Sequence, residues 1–392
     1  MRVNAFHWFI SYNSGSRIAM DSALTQHSFP VTRIVRSRID GVDFGNLGFE
    51  DDFSDHMFRC EFRDGQWIEP QIVPYGAFEI YPGALCLHYG QAVFEGLKAF
   101  RGVDGNIRVF RPDMNAERLR NSCERLCIPP VDEELFCSAI DELVGLDEKW
   151  IPSKRGESLY VRPLIFATEP NLQVKAADRY LFLIITSPVK EYFSERKGGI
   201  SLRAEPRYTR AAPGGTGFAK TGGNYAGTLR PGEDSIAQGF DQTLWLDGVE
   251  HIYVEEVGQM NIFFRIADTF VTPPLQGTIL PGVTRNSVLT LLKDRGEKCE
   301  ERRITIEEII EAHHNGSLTE VFGAGTAAVI TPVGRIAYQD EVIDLDADAP
   351  ELMSKRLYDG IVDIQTGAVE DVHGWNRVVT SSDGAATSAK VV

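Results

Sequence analysis

The chain has 392 residues, 43% apolar and 24% charged, the balance of a soluble globular protein with length for two domains of ordinary size. Its 40 basic residues stand against 56 acidic ones, a net charge of −16 that repels nucleic acid and anionic membranes. No apolar run reaches membrane-spanning length, so composition points to a soluble enzyme.

The first twenty residues hold Arg2, Arg17 and several serines but no acid, a composition shared with mitochondrial transit peptides. The reading adopted is an unstructured leader over 1–43. A small α/β domain is expected over 44–189, a linker over 190–199 (containing KEYFSERKGG), a larger domain over 200–379 and a loose polar tail over 380–392. IRVF (107–110) reads as a strand, followed by a helix from Asp113 with Leu119, Cys123 and Leu126 on one face. Residues 132–146 give a second amphipathic helix. YVRPLIFAT (160–168) and YLFLIITSPV (180–189) have the length and branching of buried strands.

In the second half, QTLWLDG and HIYVEEVGQMNIFF read as strands joined near Asp247-Gly248. PGV (281–283) precedes Thr284, which can cap a helix carrying Val288, Leu291 and Leu292. Thr305 and Glu308 form a capping box, with Gly316 closing that helix. VFGAGTAAVITPV (321–333) reads as a buried strand and a tight loop. There is no internal repeat. The six cysteines (Cys60, Cys86, Cys123, Cys127, Cys137, Cys299) form no CxxC pair and read as packed thiols in a reducing, cytoplasmic setting. His313-His314 reads as a helix end, and no metal is expected.

PGGTGFAKTGGNYAGTL (213–229) places Lys220 among glycines. A phosphate-cradling loop would need glycine where Ala219 stands, an apolar strand before it and a helix after it. Upstream is the polar, proline-broken LRAEPRYTRAAP, and downstream Gly222 and Gly223 occupy the would-be first turn, so that reading fails. The other chemistry is covalent: an amine that forms an imine with an aldehyde cofactor, which requires it to spend time deprotonated.

AKTGGNYAGTL, VEEVGQMNIFF, LPGVTRNSVL and VFGAGTAAVITPV together resemble the branched-chain amino acid aminotransferases, a pyridoxal-phosphate family of fold type IV. The resemblance continues through FSDHM (53–57), LHYGQAVFEGLKAFRG (87–102), VFRPDMNAERL (109–119), SLYVRPLIFATEPNL (158–172), SPVKEYF (187–193) and VEDVHGW (369–375). It covers about 320 residues in collinear order. It implies an α/β (α+β) fold of two mixed domains with pyridoxal 5'-phosphate between them. It also implies a homodimer, and ping-pong transfer of the amino group of L-leucine, L-isoleucine or L-valine to 2-oxoglutarate.

The resemblance assigns roles by position. Lys220 forms the imine and shuttles the Cα proton. Tyr225 donates to the cofactor's phenolic oxygen. Glu256 pairs with the ring nitrogen, and burial beside that cation should favour its ionised form. Glu255 is the rival carboxylate; alternation along an extended strand lets only one of the two reach the ring. Arg111 grips the phosphate, with Val283 and Thr284 offering N–H groups at a helix start and Gly325 and Thr326 a second loop. Phe53, Tyr89, Tyr160, Arg162 and Tyr192 match the substrate cage, Thr326 and Ala327 the carboxylate loop, and Leu172 and Val174 a contribution across the dimer.

Three departures stand out. Ala328-Val329-Ile330-Thr331 excludes the CxxC switch of some relatives, Gln259 replaces a threonine of several members, and Pro231-Gly232 should delay or bend the helix after Tyr225. Rival readings are an aminodeoxychorismate lyase of the same fold and a D-amino acid or amine transaminase.

Overall fold

The computed structural model describes residues 29–48, 52–191 and 196–379. The transit-peptide composition, Tyr192 and the polar tail lie outside them. Two sheets organise the chain. The first half supplies β1 (His56–Arg63), β2 (Gln66–Pro74), α1 (Leu85–Tyr89), β3 (Ala92–Phe94), β4 (Leu97–Arg101) and β5 (Ile107–Phe110). There follow α2 (Pro112–Arg125), α3 (Glu133–Leu146), β6 (Ser158–Ala167) and β7 (Tyr180–Val189). Pro112 opens α2, where its missing N–H costs nothing, and the Asp132 carboxylate caps α3 by accepting from Leu135 N at 2.7 Å. Leu119 and Cys123 bury the inner face of α2, and Phe136, Ile140 and Leu143 that of α3, against the sheet.

The second half supplies β8 (Ile200–Glu205), α4 (Gly222–Ala226), α5 (Leu229–Ala237), β9 (Gln242–Leu246), β10 (Val254–Val257), β11 (Met260–Ile266) and β12 (Thr269–Thr272). It continues with α6 (Val283–Asp294), β13 (Lys298–Glu301), α7 (Ile306–His314), β14 (Leu318–Gly325), β15 (Val329–Tyr338), β16 (Glu341–Asp344) and α8 (Met353–Gln365). The run β10-β9-β8-β15-β14-β11 closes on itself because β10 also pairs with β11. Closure removes both edges of that six-stranded ring, and residues from its strands share one buried apolar cluster.

The chain's last described strand, β17 (Asn376–Val379), falls within the span expected for the larger domain but pairs with β5, at the edge of the first sheet. That pairing gives the β5 edge a partner. A third apolar cluster joins the halves: Phe100 and Phe110 from the first sheet meet Phe263 and Phe322 from the second, along with Leu291, Leu357 and Trp375.

Local differences from expectation have physical causes. The helix at 283 begins two residues early, with Gly282 in the capping position, so Thr284 sits inside the first turn. Thr305 does accept from Glu308 N at 3.0 Å, but the Glu308 carboxylate turns outward to Arg302. The segment after Tyr225 breaks at Gly227-Thr228 into α4 and α5, and Pro231 is accommodated in the first turn of α5, where its nitrogen needs no partner. No described helix is long and apolar enough to cross a membrane.

Candidate active site

Between the sheets lies a cavity of about 460 Å³. Lys220 enters it from the loop before α4. Its backbone is fixed on both sides, with the amide donating to Ser122 Oγ (2.9 Å) and the carbonyl accepting from Phe94 N (3.0 Å). The side chain is thereby held between α2 and β3. Lys220 Nζ donates to Tyr225 Oη at 2.7 Å and lies 4.8 Å from the centre of the Phe94 ring. Burial, with the Arg118 guanidinium adding to it, pulls the amine down from 10.5 to about 8. Burial likewise pushes the Tyr225 phenol up to about 12, so it remains a protonated donor at neutral pH.

Arg118 is the cation that keeps the lysine company, and it was not foreseen. Its guanidinium grips Glu95 at both oxygens (2.8 and 2.7 Å), and Asn115 Nδ2 adds a third bond at 2.7 Å. Asn115, Arg118 and Ser122 are all buried and form a polar stripe at helical spacing on α2. That stripe, set beside the apolar face, was the available signal.

Glu256 lies behind Tyr225, in a recess of about 20 Å³ that shares Tyr225, Gln259 and Leu280 with the main cavity. Its Oε1 accepts from Leu280 N at 2.7 Å and its Oε2 stands 3.2 Å from Arg210 Nε. Burial pushes this carboxyl up and Arg210 opposes the shift, so the cation at hand for Glu256 is Arg210. The strand is bulged between Val254 and Glu256, which breaks simple alternation: Glu255 is buried too, accepts from the Thr278 hydroxyl, and feels Arg210 as well. Strand alternation therefore does not separate the two carboxylates. Their partners do, because only Glu256 reaches the recess.

A further part of the lining is built from backbone and small residues. Val283 and Thr284 at the start of α6, and Gly325, Thr326 and Ala327 at the β14–β15 turn, all line the cavity. A Cβ on Gly325 would come within 2.9 Å of Met260 Cγ, so glycine lets this backbone lie close to its neighbour. Lys98, also unforeseen, reaches from β4 across to this turn and donates to the Ala327 carbonyl at 2.8 Å. Burial pulls the Lys98 amine down to about 8, while Glu191 holds it up. Arg111 does not line the main cavity. It caps α2 with a left-handed backbone (φ 51°), donates to Ser287 Oγ on α6 at 2.8 Å and lies over the Trp375 ring, with its buried Nε unpaired among the described residues.

Tyr160 and Arg162 project from β6 into the cavity, with Arg162 Nη2 donating to Tyr160 Oη at 3.1 Å. A Cβ at Gly96 would collide with the Tyr160 hydroxyl, so glycine is required there. Phe53 faces a side chamber of about 130 Å³ that shares Tyr160 and Arg162 with the main cavity. Tyr89, Leu172 and Val174 lie elsewhere: they are 44%, 73% and 83% exposed, and Tyr89 Oη donates to the Leu172 carbonyl at 2.5 Å. Gln242 and Gln259 also line the cavity.

This geometry suits an aromatic aldehyde phosphate. It has a depressed amine, a buried carboxylate behind it, a helix start with an adjacent arginine whose Nε has no partner among the described residues, and a turn where a Cβ on Gly325 would crowd Met260.

Comparison with known proteins agrees. The signature described as amino-transferase class IV matches residues 92–336. The branched-chain-amino-acid aminotransferase 2 of Bacillus subtilis is 48% identical over 340 residues, covering 86% of this chain and 94% of that protein. The branched-chain-amino-acid aminotransferase of Mycolicibacterium smegmatis is 43% identical over 372 residues, covering 93% and 98%. The Escherichia coli branched-chain amino acid aminotransferase superposes with a TM-score of 0.68 at 25% identity, over 83% of this chain and 99% of that one. The Thermobaculum terrenum branched-chain amino acid aminotransferase in its PLP form shares the fold, with a TM-score of 0.69 at 22% identity over 82% and 98%. Fold, matched span and overall identity converge, and the chain belongs to the class IV aminotransferases, the pyridoxal-phosphate family of fold type IV that includes the branched-chain amino acid aminotransferases.

Proposed function

We propose that this protein is a branched-chain amino acid aminotransferase, passing the amino group of L-leucine, L-isoleucine or L-valine to 2-oxoglutarate with pyridoxal 5'-phosphate as cofactor. The observation that carries the chemistry is the Lys220 amine, held at about 8 and bonded to Tyr225. The relatives' names carry the substrate class.

When bound, pyridoxal phosphate supplies an aldehyde that joins an amine covalently and a protonated ring that accepts the electron pair left at the substrate Cα. The residues of the chain do the rest. At pH 7 an amine with a pKa of about 8 is neutral roughly a tenth of the time, against roughly one part in three thousand at 10.5. Lys220 Nζ therefore serves as nucleophile and then as the base that takes and returns the Cα proton. Tyr225 keeps its proton and orients Nζ. Glu256 would offer its carboxylate to a protonated ring nitrogen, while Arg210 and Leu280 N–H hold Glu256 in place. The α6 start with Arg111, and the Gly325–Thr326 turn, offer donors to phosphate, and Ala327 lies where a substrate carboxylate would dock.

The side-chain site must accept an aliphatic chain in one half-reaction and a carboxylate in the other. Phe53, Phe94 and Tyr160 favour the first, at about 0.8 kcal/mol per buried methylene, and Arg162 favours the second. Tyr192, outside the described residues, keeps only the cage role that the sequence resemblance gives it. Tyr89, Leu172 and Val174 form an exposed patch that a second copy of the chain would cover, so the working unit is a homodimer. Its place of action is the cytoplasm.

A panel of amino donors against 2-oxoglutarate tests the assignment. Leucine, isoleucine and valine should be turned over and the Lys220→Ala variant should be inactive. Absence of turnover with every branched donor would contradict it.

A further inference from the structure

The side chamber contains a polar group that the assignments above leave unused. β6 and β7 are antiparallel, and Tyr160 pairs directly with Ser187 while Arg162 pairs with Ile185. Directly paired residues send their side chains to the same face of a sheet, so Ser187 and Ile185 stand beside Tyr160 and Arg162 on the cavity side. All four line the chamber of about 130 Å³, as does Phe53. Ser187 is 3% exposed, and its Oγ has no hydrogen-bond partner among the described residues. The contrast with its neighbour is informative. Thr186 is equally buried and its hydroxyl is bonded to Ser54 Oγ. A buried hydroxyl without a partner is costly unless a ligand or an ordered water supplies one.

We propose that Ser187 is a specificity-determining residue, whose hydroxyl donates to the distal carboxylate of the dicarboxylate substrate beside Arg162. The inference rests on the transaminase reading, which requires one site to take both a branched chain and a carboxylate. The paired rows meet that demand. Ile185 extends the apolar wall that a leucine side chain occupies. Ser187 supplies a neutral donor, complementary to the Arg162 charge, that an aliphatic chain leaves idle. A hydroxyl suits this dual use because leaving it idle costs less than leaving a second charged group unpaired.

The test compares binding of two unreactive analogues to the pyridoxal-phosphate-loaded enzyme by calorimetry: glutarate, a dicarboxylate, and 4-methylpentanoate, a leucine-chain mimic. In Ser187→Ala, glutarate should bind about ten-fold more weakly, the effect of losing one donor to a charged group, and 4-methylpentanoate should be unchanged. Equal weakening of both analogues assigns Ser187 a structural role and overturns the inference, as does no change in either. If the wild-type enzyme binds neither analogue, the transaminase reading itself fails. That outcome is distinguishable from the other two because it does not involve the variant.

Discussion

The two walls of the cavity are built on different principles. On the side of the closed ring and α2, three charged groups are already engaged: Lys220 with Tyr225, Glu256 with Arg210 and Leu280 N–H, Arg118 with Glu95. On the side of β6 and β7, Tyr160 and Arg162 stand beside Ser187 and Ile185, and the Ser187 hydroxyl has no partner among the described residues. Prepaid contacts fix geometry where charge must develop at defined atoms. A hydroxyl set between a charged and an apolar neighbour suits a site that takes two dissimilar substrates. The difference separates a wall that performs chemistry from a wall that selects.

Four substitutions probe the engaged groups, with Glu255 as the matched control for Glu256. Arg118→Met leaves Glu95, which is wholly buried, without its cation, and should lower unfolding stability by about 3–5 kcal/mol in denaturant titration. Unchanged stability would mean that the wall is not held by this pair. Glu256→Gln should reduce kcat by about a hundred- to a thousand-fold, because a fixed charge facing the ring nitrogen is lost. Glu255→Gln, which keeps an acceptor for the Thr278 hydroxyl, should stay within about three-fold of wild type in kcat. Equal losses in the two variants would erase the distinction between the bulged neighbours. Lys98→Met removes the donor to the Ala327 carbonyl and should raise KM for both substrates about ten-fold with kcat little changed. A fall confined to kcat would place Lys98 in the chemistry rather than in support of the turn.

What the sequence disclosed and what it withheld follow from how far apart the interacting residues lie. Lys220 and Tyr225 are five residues apart within a glycine-rich run, so their pairing is nearly local. The strands at 107–110 and 180–189 and the helix after Asp132 were visible because their periodicity and capping are local as well. Arg118–Glu95 and Lys98–Ala327 join positions 23 and 229 residues apart, and only tertiary packing brings them together. The closure of β10 onto β11 and the return of β17 to the first sheet were hidden for the same reason. The resemblance selects Glu256 over Glu255, but the expectation that strand alternation lets only one of them face the site does not hold where the strand bulges. Thr284 was read as a cap because threonine caps helices well, yet Gly282 holds that position.

The account depends most on a Lys220 amine made nucleophilic by its surroundings. The direct test follows covalent capture of pyridoxal phosphate by cofactor-free protein as a function of pH, with borohydride reduction and peptide mapping of the product. Burial disfavours the charged amine, so the folded-state pKa lies below its ordinary value and capture should rise with pH and level off through a midpoint near 8. The label should map to Lys220 and be absent from Lys220→Ala. A midpoint near the ordinary 10.5, or a label on another lysine, would contradict the account.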